Sequence, residues 1–137
     1  MRVFLDTNVL VSAFATRGLC ADVMRQVLAE HVLVTGEVVL RELRKALRVK
    51  LKVPAETIEE IEHFLRECEV VPKPSAPSAV KVRDPDDRWV LASALAGQAD
   101  VLVTGDKDLL TLGKQAPLRI VDPRGFWTLL RKSPPRK

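Results

Sequence analysis

A chain of 137 residues, 47% hydrophobic and 29% charged, is long enough to enclose one core and too short for two, which excludes a disordered chain. No apolar run nears the roughly 18 residues of a membrane span, and no signal-peptide pattern is present, so a cytoplasmic protein is expected. A formal charge of +4 suits a polyanionic partner, but 4% aromatic residues and no tyrosine disfavour single-strand recognition by base stacking. The first segment, RVFLD (Arg2 to Asp6), carries the unbroken apolar run of a buried strand. TNVLVSAFA then opens a helix that Thr7 can cap. Ala21 to Glu30 reads as helix and HVLVT (His31 to Thr35) as a second strand. Glu37 to Leu51 is an amphipathic helix with Val39, Leu43, Ala46 and Leu47 on its apolar face.

Pro54 to Cys68 follows as a glutamate-rich helix with proline in its first position. Glu69 to Pro72 is a strand, KPSAPSAVKV an exposed loop, and Pro85 to Gly97 a helix closed by its glycine. Val101 to Thr104 is another buried strand, leading into a short helix. RIVDP and Arg124 to Arg131 supply the last strand and helix. A single domain over 1–131 is expected, with 132–137 as a disordered basic tail. Cys20 and Cys68 stand far apart without a CxxC pattern, which suits small buried residues better than a disulfide or a zinc site. Strands alternating with helices imply an α/β domain: a parallel sheet with helices on both faces and a site beyond the carboxyl ends of the strands.

Four acids meet that placement. Asp6 ends the first strand, and Asp106 follows VLVT after one glycine, which permits a tight turn. Glu42 lies at the margin of its helix's apolar stripe, where it can lean towards the sheet or pair with Arg41 or Lys45. In RDPDDRWVLASAL, Asp84 is a natural N-cap, Pro85 suits the first helical position and Asp86 favours the helix dipole. Asp87 is left over. It shares the buried side of its helix with Leu91 and Ala94, although a bond back to the cap's amide stays open. Two carboxylates about 4 Å apart repel by roughly 4 kcal/mol at an effective dielectric near 20, so such a cluster must protonate or bind a cation. All-oxygen ligands without nearby histidine or cysteine favour Mg²⁺ or Mn²⁺ over zinc.

LDTNVL, RELRKAL, RDPDDRWVLASAL and VLVTGDKDLL, in this order, resemble the PIN domain, with the closest likeness to its VapC-like toxin group. The resemblance spans Arg2 to Trp127 and rests chiefly on the last two motifs. It implies a PIN-like three-layer fold with a central parallel sheet in the order 3-2-1-4-5. It also implies a metal-dependent ribonuclease whose acidic residues are Asp6, Glu42, Asp87 and Asp106, with Asp6, Asp87 and Asp106 as metal ligands. Asn8 matches the polar residue supporting the first acid, Thr104 a hydroxyl beside the last, and Asp108 a second acid in GDKD. Proteins of this group form homodimers silenced by a small antitoxin, so an antitoxin and a second copy are the implied partners.

RNA would need positive charge around an acidic pocket. Arg41, Arg44, Lys45 and Arg48 are the candidate contacts, with Lys50 and Lys52 at the helix exit and Arg131, Lys132, Arg136 and Lys137 in the tail. Such binding should weaken steeply with salt. Competing chemistries fit less well. A haloacid-dehalogenase phosphatase wants an aspartate where Asn8 stands, and a receiver domain wants one after its third strand, where EVVPK has none. His31 and His63 do not form a histidine-pair ribonuclease by any visible pattern. A PIN-like module that binds RNA or protein without cutting, and a PIN nuclease of RNA processing, remain as alternatives.

Overall fold

The structure is a computed structural model and describes residues 1–132. Five strands, β1 (Arg2–Leu5), β2 (Val32–Gly36), β3 (Glu69–Val71), β4 (Val101–Val103) and β5 (Arg119–Val121), form one sheet. Its order is β3-β2-β1-β4-β5, and every pair is parallel, as the sequence implied. β1 sits centrally, with Val3 opposite both Leu33 and Val101, and Val3, Phe4 and Leu5 are fully buried. The chain walks from β1 to β2 to β3 in one direction and then jumps to β4 and β5 on the other side. Right-handed crossovers therefore place helices on both faces and open a crevice beyond the carboxyl ends of β1 and β4, where the strand order reverses.

The helices are α1 (Thr7–Ala15), α2 (Leu19–Glu30), α3 (Glu37–Lys45), α4 (Ala55–Arg66), α5 (Pro85–Ala96), α6 (Lys107–Leu110) and α7 (Pro123–Lys132). Among the described residues none is long and apolar enough to cross a membrane. Several expectations are refined. Asp6, not Thr7, caps α1: its carboxylate accepts the Thr7 N–H at 2.7 Å. Pro54 stands just outside α4 and offers its carbonyl to Ile58 N–H, so it precedes the first helical position. The expected helix from Glu37 to Leu51 stays α-helical only to Lys45 and then widens into a π turn over Ala46–Lys50, closed by Leu51 N–H on the Ala46 carbonyl at 3.2 Å. Buried Leu47 anchors that turn to the core, and Lys52 completes it at a φ of 52°, a conformation L side chains seldom take.

The loop before α5 is only partly exposed. Ser78 is buried and exchanges bonds with Arg88, its N–H donating to the Arg88 carbonyl at 2.9 Å and its own carbonyl accepting from Arg88 Nε at 2.7 Å. Val80 and Val82 pack against the core, and Lys73 lies 4.7 Å from the Trp89 ring centroid. The loop is thus strapped to the helix it introduces. Cys20 and Cys68 are free thiols, half-buried rather than buried. The expected basic tail, 133–137 with the Lys132 side chain, lies outside the described residues.

Gly97 does close α5, but for reasons of space. Its φ is −82°, and the left-handed residue is Gln98. A Cβ at position 97 would lie 2.7 Å from Val34 Cγ1 and 2.8 Å from Val71 Cγ2, against stiff valines of β2 and β3. Gly97→Ala is therefore expected to cost about 1–3 kcal/mol, the usual cost of overpacking, read as a lower denaturation midpoint at unchanged m-value. A wild-type midpoint would mean that helix and sheet separate freely.

Candidate active site

The β1 and β4 ladders continue just past the strands and fix two polar residues at the sheet's carboxyl edge. Asp6 N–H bonds to the Val103 carbonyl at 3.0 Å, and Thr104 N–H to the Val121 carbonyl at 2.9 Å. Asp6 is only 4% exposed, yet its carboxylate is well partnered. Oδ1 accepts from Thr7 N–H at 2.7 Å, while Oδ2 accepts from the Thr104 hydroxyl at 2.7 Å and the Asn8 amide at 3.3 Å. Asn8 Oδ1 in turn accepts the Gly105 N–H at 2.9 Å, which obliges the Asn8 amide nitrogen to face Asp6. Gly105 serves this close approach, since a Cβ there would meet Asn8 Oδ1 at 3.3 Å. Thr104 Oγ1 also accepts the Asp106 N–H at 3.0 Å. One hydroxyl thereby links the acid after β1 to the acid after β4.

Asp106 caps α6, its Oδ1 accepting the Asp108 N–H at 2.9 Å. Across from it, the first turn of α5 begins as expected, with Asp84 accepting from Asp86 N–H at 3.0 Å and Pro85 following. Asp87 is 6% exposed, and its Oδ2 is buried without any hydrogen-bond partner among the described residues. Asp87, Asp106 and Asp108 each place one carboxylate oxygen within 4.8 Å of the other two. Asp108, expected in a supporting role, thus joins the tightest cluster, while Asp6 stands beside it, held by its own donors. Glu42 leans into the same cavity as Asp6, Asp87 and Asp106, and accepts from the Thr7 hydroxyl at 3.1 Å instead of pairing with Arg41 or Lys45. Thr7 was not foreseen as its partner.

The electrostatics follow from this crowding. Burial, then the charge of neighbouring Asp106, push the Asp87 carboxyl up to about 8. Asp6 is raised by burial despite its three donors. Glu42 is raised by burial, then by Asp6, Asp86 and Asp84. Carboxylates crowded in this way are favoured by a bound cation, which offsets their mutual repulsion. An unpartnered buried oxygen and an all-oxygen donor set fit a hard divalent ion of the Mg²⁺ or Mn²⁺ kind.

The basic residues are less convergent. Arg44 is bound to Glu62 on α4 through Nε at 2.9 Å and a second nitrogen at 2.6 Å, and Arg41, Lys45 and Arg48 are exposed without lining the cavity. Lys50 lines it instead, and Arg83, just before the α5 cap, lies 3.4 Å from Asp108. Sequence alone gave no signal favouring Lys50 or Arg83 over their neighbours, because each is selected by a contact from another segment.

The model of the PIN domain matches residues 2–108, and the chain belongs to that family. Among solved structures it is similar to VapBC-1 from nontypeable Haemophilus influenzae, at 21% identity and a TM-score of 0.63, covering 90% of this chain and 99% of that one. It is also similar to VapBC2 from Rickettsia felis bound to a DNA fragment from their promoter, at 17% identity and a TM-score of 0.58, covering 89% and 98%. FitAcB from Neisseria gonorrhoeae gives 14% identity and a TM-score of 0.58 over 89% and 98%. No curated protein matches the chain. At these identities the likeness is one of fold.

Proposed function

We propose that this PIN domain is a divalent-metal-dependent endoribonuclease of the VapC-like kind, the toxin component of a toxin–antitoxin pair. The observation that carries the reading is the orphaned Asp87 Oδ2, buried beside Asp106 and Asp108 where the strand order reverses. Asp87, Asp106 and Asp108 would hold Mg²⁺ or Mn²⁺. When bound, such an ion supplies Lewis acidity at the scissile phosphate and makes water a competent nucleophile near neutral pH.

The remaining work falls to the chain itself. Thr7, Thr104 and Asn8 fix Asp6 in a single orientation at the wall of the cavity. Thr104 also fixes the backbone of Asp106, so the two acids keep their spacing. Glu42, oriented by Thr7, would accept hydrogen bonds from water entering the cavity. A partner protein covering the acids could satisfy them with an arginine, whose fork matches carboxylate geometry. The VapBC and FitAcB structures support a protein partner, and the group resemblance supports a homodimer and a cytoplasmic location.

The test is cleavage of single-stranded RNA by the purified chain. Phosphodiester hydrolysis should appear with Mn²⁺ or Mg²⁺, vanish on adding EDTA, and return when Mn²⁺ is restored in excess. Cleavage that persists in EDTA, or tight RNA binding with no cleavage at any Mn²⁺ concentration, would replace the enzyme by another activity or by a binding module.

A further inference from the structure

The cavity that holds the acids is larger than a metal centre needs. It encloses about 490 Å³ and runs along one face of α1, through Asn8, Val11, Ser12 and Ala15, to Thr16. Thr16 is ten residues beyond Asp6, or about 15 Å away at 1.5 Å per residue. The facing wall comes from the π turn and its exit, as Ala46, Lys50 and Leu51. Acids line one end. The other is apolar apart from two hydroxyls, and Lys50 is its cation.

Resting on the ribonuclease reading, we infer that this far arm is a substrate subsite in which Lys50 takes a backbone phosphate of the RNA. Val11, Ala15 and Leu51 then face the intervening sugar and base. Three observations converge. Lys50 is exposed and, among the described residues, makes no ion pair, whereas Arg44 and Arg66 are committed to Glu62 and Glu37. Its backbone is pinned from both sides, by Leu51 N–H on the Ala46 carbonyl at 3.2 Å and Val53 N–H on the Leu47 carbonyl at 2.9 Å. The left-handed Lys52 that follows persists only because the surrounding structure determines the turn, so the backbone that carries Lys50 is held at the cavity wall. Finally, the charge pattern suits a polyanion with one phosphate at the acidic end, met by a cation held there, and a second met by Lys50. The sequence named Lys50 only as one of a basic group with Arg41, Arg44, Lys45 and Arg48, and of these only Lys50 lines the cavity.

The experiment compares Lys50→Ala, Lys50→Arg and Arg25→Ala, the last removing an equal charge from α2. KM and kcat are measured for Mn²⁺-dependent cleavage of a single-stranded RNA, and affinity by anisotropy across a salt series. Lys50→Ala should raise KM about tenfold with kcat within about twofold, and make the slope of log affinity against log salt shallower by about 0.7, one phosphate contact on a single strand. Lys50→Arg should restore both, and Arg25→Ala should change neither. An unchanged KM and salt slope in Lys50→Ala overturns the subsite, including the case in which the arm receives a protein segment. If the wild type binds RNA but never cleaves it, the ribonuclease reading fails, and the anisotropy slope alone still decides whether Lys50 holds phosphate.

Discussion

In metal-free buffer at pH 8, Asp87→Asn is expected to raise the melting temperature by about 5–10 °C, an unusual result for a buried polar residue in a well-packed helix. The cause is the carboxyl that burial and Asp106 push up to about 8 from an ordinary 3.8. Between those pH values the folded protein keeps a proton that the unfolded chain has released. Stability is then fully present below about pH 4 and falls as pH rises towards 8, by up to about 1.4 kcal/mol per unit. Asp6 and Glu42, also raised, act with the same sign. His31, lowered by burial, opposes them weakly at mildly acidic pH, but the variant leaves it untouched and it cancels from the comparison. Asparagine cannot ionise and can donate its amide to Asp106, so the variant's profile should be flatter. Adding Mn²⁺ reverses the ranking. At a hundred times its Kd a ligand of the native state adds about 2.7 kcal/mol, which the wild type gains and Asp87→Asn largely forfeits. Equal destabilisation of the variant at pH 5 and pH 8, with an undiminished Mn²⁺ shift, would mean that the Asp87 carboxylate is neither strained nor a ligand.

The position of that carboxylate was legible because a parallel sheet aligns its strand ends. VFL and VLV are unbroken apolar runs, so Asp6 and Asp106 had to emerge on one edge, and α-helical period put Asp87 on the buried side of α5. What stayed illegible depends on partners distant in sequence. Nothing local separates α3 from the π turn after it, since no proline or glycine intervenes. Leu47 burying itself and Val53 bonding back to Leu47 decide the widening. Arg44 and Lys50 look alike as basic residues of one segment, yet Glu62 claims the first and the cavity receives the second. Asp108 joined the cluster through the tight cap that Asp106 makes on α6, a geometry that spacing alone leaves open. The loop before α5 looked solvent-exposed by composition, and only the Ser78–Arg88 exchange shows it strapped down.

Asp6→Asn carries the largest expected effect on chemistry: a loss of Mn²⁺-dependent RNA cleavage on the order of 10²-fold or more, with RNA affinity little changed. The two side chains are nearly isosteric, so what changes is the pattern of donors and acceptors. Thr7 N–H requires an acceptor at the Oδ1 position, which leaves the new amide nitrogen where Oδ2 had been. There it meets two donors, the Thr104 hydroxyl at 2.7 Å and the Asn8 amide at 3.3 Å. Asn8 cannot flip without presenting its own amide to Gly105 N–H. The Thr104 hydroxyl must turn its proton away, and the same oxygen anchors the Asp106 amide. The variant thus removes a negative charge facing the cavity and loosens the neighbouring acid. Because burial holds Asp6 above its ordinary pKa, removing its charge relieves that desolvation cost and offsets part of the lost hydrogen bonding. The fold should therefore survive, and lost cleavage can be separated from lost structure by matched denaturation curves. Combining Asp6→Asn with Asp87→Asn should cost far less than the product of the single losses, since residues acting as one unit are not additive. A double variant whose loss equals that product, or an Asp6→Asn protein that cleaves within about threefold of wild type, would place the two carboxylates in separate roles and move the chemistry elsewhere on the surface.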